Sequence, residues 1–336
     1  MINGECLRCS VFPVLWNAIN TIISWNIVKE DRTLTCLPMF HTGGLNALSL
    51  PILLMGGTVI ISEKFDPEQA ARDLQSYQCT IVLLVSTMHH MLVQTPYFQQ
   101  ARYPNMKVFL SGGAPCPLTI YKHYHHKGLK FKEGYGLTEA GPNNFYISPE
   151  DAQKHVGSVG KPMMFNQIRI VDKDCNDQCP GEVGELLLWG DHTFEYYWNN
   201  PEETDAVFRD EWLHTGDLAK QDDEGFIYIV GRKKEMIISG GENIFPLEIE
   251  QWLLSNPEVN EAAVIGIPDE KWGERAVAYI SLKSDGISIE KLQSHCREKF
   301  AGYKVPKQFY VLEELPKTDV GKIDKQSLIE QSYVPE

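Results

Sequence analysis

Residues 226–250 read FIYIVGRKKEMIISGGENIFPLEIE, and the change of texture inside that run decides how the chain divides. Positions 226–230 are β-branched and aromatic and predict a strand; Gly231 breaks it, and four charged residues precede a second apolar strand over 236–238. Gly240 and Gly241 then permit backbone angles and close approaches that a side chain forbids. From Pro246 onward, Leu247, Ile249, Glu250, Leu253 and Leu254 fall at helical spacing. A strand, a polar pivot and a second strand thus stand where one compact run ends and a shorter one begins. Taken alone, the Gly-Gly pair reads more often as a plain turn than as a place where a ligand lies.

Length and composition set the outer limits. A chain of 336 residues can bury a large core and suggests about two domains. With 43% hydrophobic and 23% charged residues it has an ordinary globular composition. A formal net charge of −14 argues against a general nucleic-acid binder, because polyanion binding needs basic surface that releases counterions. The apolar run over 50–61 is interrupted by Pro51, Gly56 and Gly57 and falls short of the ~20 residues that cross a bilayer, so no membrane span is expected. No basic stretch followed by an apolar run and a small-residue cleavage site opens the sequence, which makes the cytoplasm the expected compartment. The eight cysteines are scattered and read as reduced thiols; Cys6 and Cys9 form a CxxC with no second pair to complete a metal site.

Upstream of the opening run, residues 1–13 fit nothing that follows. Leu15, Ala18, Ile19, Ile22 and Ile23 predict a helix over 15–28, and 33–37 a strand leading into LPMFHTGGLN, in which His41 precedes a glycine pair. By itself His41 reads as a satisfied loop histidine. A strand over 57–62, a helix capped by Asp66, a strand over 80–86, a helix over 88–93 and a strand over 108–110 alternate, as in a parallel sheet flanked by helices. The last strand runs into Gly112, Gly113 and Ala114, where backbone amides at a strand's carboxyl end can meet a nucleotide or phosphate. Next comes EGYGLTEAGP, with Gly134, Tyr135 and Gly136 followed by Thr138 and Glu139. The Tyr135 ring can lie along an adenine, the Thr138 hydroxyl can donate to a phosphate oxygen, and Glu139 can hold a hard cation such as Mg²⁺. Short β runs over 156–188 suggest a small antiparallel sheet or distorted barrel, and 202–208 a short helix. In WLHTGDL, Asp217 is expected on a turn, where its carboxylate can accept bonds from both hydroxyls of a ribose. Beyond 235, strands over 262–267, 276–282 and 308–312 with helices over 246–254 and 289–300 predict a separate domain of about 100 residues. It ends in LPKTDVGKIDK, with Lys322 on a turn as a mobile point charge.

LPMFHTGG, SGGAP, GYGLTE, HTGDL, the run over 226–250 and LPKTDVGK, in that order, resemble the adenylate-forming (AMP-binding) superfamily, in its acyl-CoA synthetase and ligase branch. The resemblance implies an α/β fold: a partial large domain over 14–231, with a mostly parallel sheet and a small β-barrel-like part, followed by a small mobile α+β C-terminal domain over 235–336. It implies ATP-dependent activation of a carboxylic acid, fatty by expectation, as acyl-AMP, and transfer to coenzyme A. The roles implied are Lys322 in adenylation, Thr138 on phosphate, Glu139 on Mg²⁺ and His41 beside the acyl pocket. Gly112, Gly113, Ala114, Gly134, Tyr135, Gly136, Asp217 and Arg232 would border ATP or AMP. Gly240 and Gly241 would face the thiol, with Lys234 as the pivot. The pattern departs from the family at its start: no Ser/Thr/Gly-rich loop ending in Pro-Lys-Gly precedes Leu15, so impaired catalysis is expected. The alternatives are a non-catalytic AMP or acyl-adenylate binding module, or a non-functional fragment. Self-association through a bared sheet edge is a further expectation.

Overall fold

The computed structural model describes residues 7–8, 11–283, 287–318 and 322–332. Cys6, Cys9 and the glycine that precedes Lys322 lie outside the described residues. The chain forms two compact units, Met1–Thr215 with Ala219–Ile229, and Gly216–Leu218 with Val230–Glu336.

The first unit is an α/β structure. Strands Ile81–Leu84, Val108–Ser111 and Phe131–Glu133 pair in parallel, and Arg32–Thr35 pairs in parallel with Thr58–Ile61. Helices Pro67–Ser76, Ser86–Gln94 and Leu118–His126 alternate with them, as short apolar strands separated by longer amphipathic runs require. Asp66 caps the first of these helices, its Oδ1 accepting from Gln69 N at 2.7 Å. The core between sheet and helices is aromatic: the Phe109 and Phe131 rings lie 4.7 and 4.8 Å from Tyr124, which is fully buried. A five-stranded antiparallel sheet follows, built from Gln167–Val171, Gly184–Trp189, Phe208–Arg209, Trp212–Gln221 and Ile227–Arg232. Leu186, Leu188, Leu213, Ala219 and Ile227 form its buried face.

The second unit is α+β. Its sheet runs in the order Glu242–Ile244, Ile237–Ser239, Gly273–Leu282, Val259–Asp269, with Gln308–Val311 parallel to Gly273–Leu282. Both faces are covered: Val264, Ala276 and Ala278 pack with Ile249, Leu253 and Leu292, while Ala263, Ile265 and Val277 pack with Leu315 and Leu328. That double burial is why 262–267 reads as an unbroken apolar run rather than an alternating one.

Three expectations change. The first helix is Val11–Trp25, so residues 11–13 belong to it rather than to an unmatched leader. The strand Ile227–Arg232 passes through Gly231, whose φ of 151° a glycine accommodates, so the break between the two strands is the 3₁₀ turn Lys233–Glu235. Asp217 lies within the strand Trp212–Gln221, and the local break is Gly216 at φ 68°. As the plain-turn reading had it, Gly240 and Gly241 are the two-residue loop of a hairpin in which Ser239 faces Glu242. Their φ values of 61° and 87° are the positive pair that a tight hairpin turn of matching twist requires.

No helix among the described residues is long and apolar enough to cross a membrane. Val11, Phe12, Phe40, Leu53 and Ile61 are exposed apolar side chains of the first unit.

Candidate functional site

His41 is the N-cap of the short helix Thr42–Gly44, and its Nδ1 accepts from Gly43 N at 3.0 Å. That bond leaves Nδ1 as the acceptor. Gly44 is required by crowding: a Cβ there would meet Pro38 O at 2.3 Å. The loop thereby turns His41 toward a cavity of about 220 Å³ that Thr138 also lines, with Pro13, Val14, Met39 and Phe40 among its apolar walls.

Thr138 and Glu139 open a 3₁₀ turn, Thr138–Ala140, reached from the strand Phe131–Glu133 through Gly134 and Gly136. Gly134 N donates to Ser111 O at 2.8 Å and Gly112 N to Leu84 O at 3.3 Å, so these two amides extend the sheet. Gly113 takes φ 84°, and it and Ala114 are exposed. The next helix begins at Leu118, after its N-cap Pro117, and Cys116 N in the intervening turn donates to Glu133 Oε2 at 3.2 Å. Tyr135 is partly buried with its ring edge-on to Phe145, centroids 5.7 Å apart. At Gly136 a Cβ would lie 2.1 Å from Pro142 O and 2.2 Å from Pro142 C, atoms of the backbone that cannot swing aside. Gly136→Ala is therefore expected to lower unfolding free energy by about 1–3 kcal/mol through overpacking, which urea titration measures; an unchanged midpoint would contradict the close approach.

The Thr138 side chain is exposed. The Glu139 carboxylate is held from one side, where the Tyr197 hydroxyl donates to Oε1 at 2.9 Å. Among the described residues no group of three His, Cys, Asp or Glu side chains forms a metal site. One partly exposed carboxylate, bonded by protein at Oε1, still suits Mg²⁺, which keeps several waters and takes its remaining ligands from phosphates.

Asp217 is 4% exposed, and Arg232 Nε donates to its Oδ1 at 2.8 Å. Lys322 is exposed as a residue, but its ammonium is held below the ordinary lysine value by partial desolvation first and by the Arg232 guanidinium second, with Asp217 opposing. Asp217, Arg232 and Lys322 therefore form one charged group in the second unit. What lies against Gly240 is the Trp272 indole: a Cβ there would come within 2.9 Å of its ring.

Two functional-looking residues escape sequence reading. His192 lines the same cavity as His41 and Thr138, and burial holds its imidazole down at about 4. Asn144 Nδ2 donates to Gly141 O at 3.0 Å, which turns its Oδ1 toward His192 Nε2 at 2.9 Å and so places the imidazole proton on Nε2. Tyr197, which holds Glu139, is the second. Both sit in an aromatic run, GDHTFEYYWN, where neither spacing nor composition marks them apart from core residues.

The family model for AMP-binding enzymes matches residues 11–198, and that for the AMP-binding enzyme C-terminal domain matches residues 248–322. A feruloyl-CoA synthase from Amycolatopsis sp is 38% identical over 312 residues, covering 92% of this chain and 63% of that protein. An indoleacetate–CoA ligase from Aromatoleum aromaticum is 38% identical over 311 residues, covering 92% and 61%. Among solved structures, the o-succinylbenzoate CoA synthetase of Bacillus subtilis in complex with its acyl-adenylate intermediate superposes with a TM-score of 0.89 at 33% identity, over 99% of this chain and 66% of that one. The chain thus spans about 63% of the length of the feruloyl-CoA synthase it matches.

Proposed function

The chain belongs to the AMP-binding enzyme family, and from that premise we propose that it activates a carboxylic acid as an acyl-adenylate and passes the acyl group to coenzyme A. The observation that carries the reading is the shared cavity: His41 and Thr138 meet there among walls that are otherwise largely apolar. A carboxylate is a poor electrophile because its leaving group would be oxide. Attack of its oxygen on the α-phosphorus of ATP releases pyrophosphate and replaces oxide by AMP. The thiol sulfur of coenzyme A then bonds to the acyl carbon, the thiol proton is lost, and AMP departs.

In this reading the Thr138 hydroxyl donates to a phosphate oxygen, and Gly112, Gly113, Ala114, Gly134, Tyr135 and Gly136 border the adenosine. Asp217 accepts from the ribose, with Arg232 setting its carboxylate, and Lys322 approaches the phosphate during adenylation. Glu139, steadied by Tyr197, would hold Mg²⁺, which when bound neutralises phosphate charge. Gly240 and Gly241 face the thiol arm, with open space beside Gly241 while the Trp272 indole packs against Gly240, and Lys234 is the pivot. The apolar walls around His41 suit an acid with an apolar body, aromatic or aliphatic. Names among the relatives include aromatic acids and long-chain fatty acids.

A panel of aromatic and aliphatic acids, assayed for acid-dependent pyrophosphate release and for thioester formation, tests the proposal. Release of both products with at least one class of acid is the expected result. Tight binding of an acyl-AMP mimic without turnover would replace the ligase reading by that of a binding module.

A further inference from the structure

Two lysines flank Lys322, and both are seated on carboxylates of the second unit. On the far side, Lys325 Nζ lies 2.6 Å from Glu235 Oε2 and 2.8 Å from Glu250 Oε1. Glu250 is 8% exposed and is itself fixed, since Val264 N donates to its Oε1 at 2.7 Å. Glu235 is the last residue of the 3₁₀ turn Lys233–Glu235, so Lys325 ties the start of the helix Lys325–Ser332 to that turn. On the near side, Lys317 Nζ lies 3.0 Å from Glu261 Oε1, on the strand Val259–Asp269, and 2.6 Å from Glu314 Oε1. Between the two anchors the chain closes on itself: Lys317 bridges Ile323, Thr318 N donates to Lys322 O at 2.8 Å, and Lys322 N donates to Thr318 Oγ1 at 3.3 Å.

A half-buried lysine between two carboxylates is weak evidence for stability, because desolvation offsets much of the attraction. Its better-attested use is to fix register. We propose that Lys317 and Lys325 are positioning residues: by gripping Glu261 on one side and Glu235 with Glu250 on the other, they hold Lys322 beside Arg232 and Asp217 and in fixed relation to the turn Lys233–Glu235. Glu250 was legible only as one of a helix's regularly spaced residues; its burial makes it the floor of the grip. The burial that would lower the Lys325 ammonium is outweighed by Glu250 and Glu235, which keep it raised and charged.

The proposal rests on the adenylating role given above to Lys322 only for its kinetic consequence, so two separate readouts test it. The first is trace acylation of the purified chain by acetic anhydride across the alkaline range, with Lys322 followed by peptide mass spectrometry. In the unaltered chain Lys322 becomes reactive at a pH below that of an ordinary lysine. In Lys325→Met its profile moves up toward the ordinary one, Lys325→Arg keeps it near the original, and Glu235→Gln, which spares the buried Glu250, moves it part of the way. If Lys325→Met fails to fold, Glu235→Gln decides alone. A Lys322 profile unmoved in the folded variants overturns the proposal. The second readout is enzymatic: Lys325→Met lowers acid-dependent pyrophosphate release by ~10²-fold, as misplacement of a reacting group does, and leaves thioester formation from supplied acyl-adenylate nearly intact. Equal loss in both steps assigns Lys325 a purely structural role and also overturns the proposal. An unaltered chain that releases no pyrophosphate counts against the ligase reading, while the labelling result still decides the grip.

Discussion

Lys322→Ala is expected to slow acid-dependent ATP–pyrophosphate exchange by ~10²–10³, the usual loss when one preorganised charge or donor is removed from a reaction that develops anionic oxygen. The reason is the difference between the two half-reactions. Adenylation separates pyrophosphate from AMP, and negative charge grows on both sides of the breaking bond. An ammonium on a flexible stem can follow that charge as a guanidinium in a fixed pair, such as Arg232 with Asp217, cannot. Thiol transfer expels AMP from an acyl carbon and involves no pyrophosphate. Thioester formation from ready-made acyl-adenylate should therefore survive in the variant. Because the Lys322 side chain is exposed, its melting temperature should be close to that of the unaltered chain. A parallel fall in both half-reactions would refute the assignment of Lys322 to the first of them.

Acidification is expected to undermine the first unit through two buried imidazoles. His89 is wholly buried; its Nε2 donates to Leu110 O at 3.1 Å and its Nδ1 accepts from the Tyr124 hydroxyl at 2.7 Å, so both nitrogens are committed to the neutral ring. Burial holds it down at about 4 and holds His192 down to a similar value. A histidine depressed in the fold contributes stability that is present above its unfolded value of 6.5 and is lost as pH falls toward 4. From 6.5 to about 4, at ~1.4 kcal/mol per unit, each ring accounts for about 3 kcal/mol. Glu133 works the other way. Burial pushes its carboxyl up to about 7, so its contribution is full below 4.5 and is lost as pH rises through 7. Urea unfolding at pH 7 and pH 5 should show a modest net loss in the unaltered chain and a steeper one in Glu133→Gln, where the opposing group is gone. Proton NMR offers the decisive check, since a His89 ring titrating near 6.5 in the folded chain would remove the basis of the prediction.

Much of this was legible in the sequence because local chemistry and tertiary role coincide. Asp66 announces a helix start and caps one; the helix over 246–254 is found as read; the alternation of strand and helix after Thr58 does give parallel pairs. Legibility failed where a residue's role depends on something distant in the chain. Gly231 looks like a strand breaker until the pairing of Ile227–Arg232 beside Trp212–Gln221 overrides it. Asp217 looks like a turn residue until it is found within the strand Trp212–Gln221, buried and paired with Arg232. Glu250 reads as one position in a helical pattern; only the Val264 amide and Lys325 ammonium, both far along the chain, explain a carboxylate in that place. His192 depends on Asn144 in the same way.

The pairing of Val259–Asp269 with Gly273–Leu282 closes over residues 270–272, and the Gly240–Gly241 hairpin over two. Contacts so near in sequence ask little of loop entropy, so much of the second unit's sheet can zip from its own turns. The parallel pairs of the first unit have no such start: Ile81–Leu84 cannot meet Val108–Ser111 until the intervening helices have been carried round and laid down. The second unit's antiparallel pairs thus reach order by local closure and the first unit's parallel pairs by long-range search. During synthesis or refolding, the half that must wait is the one whose apolar strands and helices stay open longest to wrong partners.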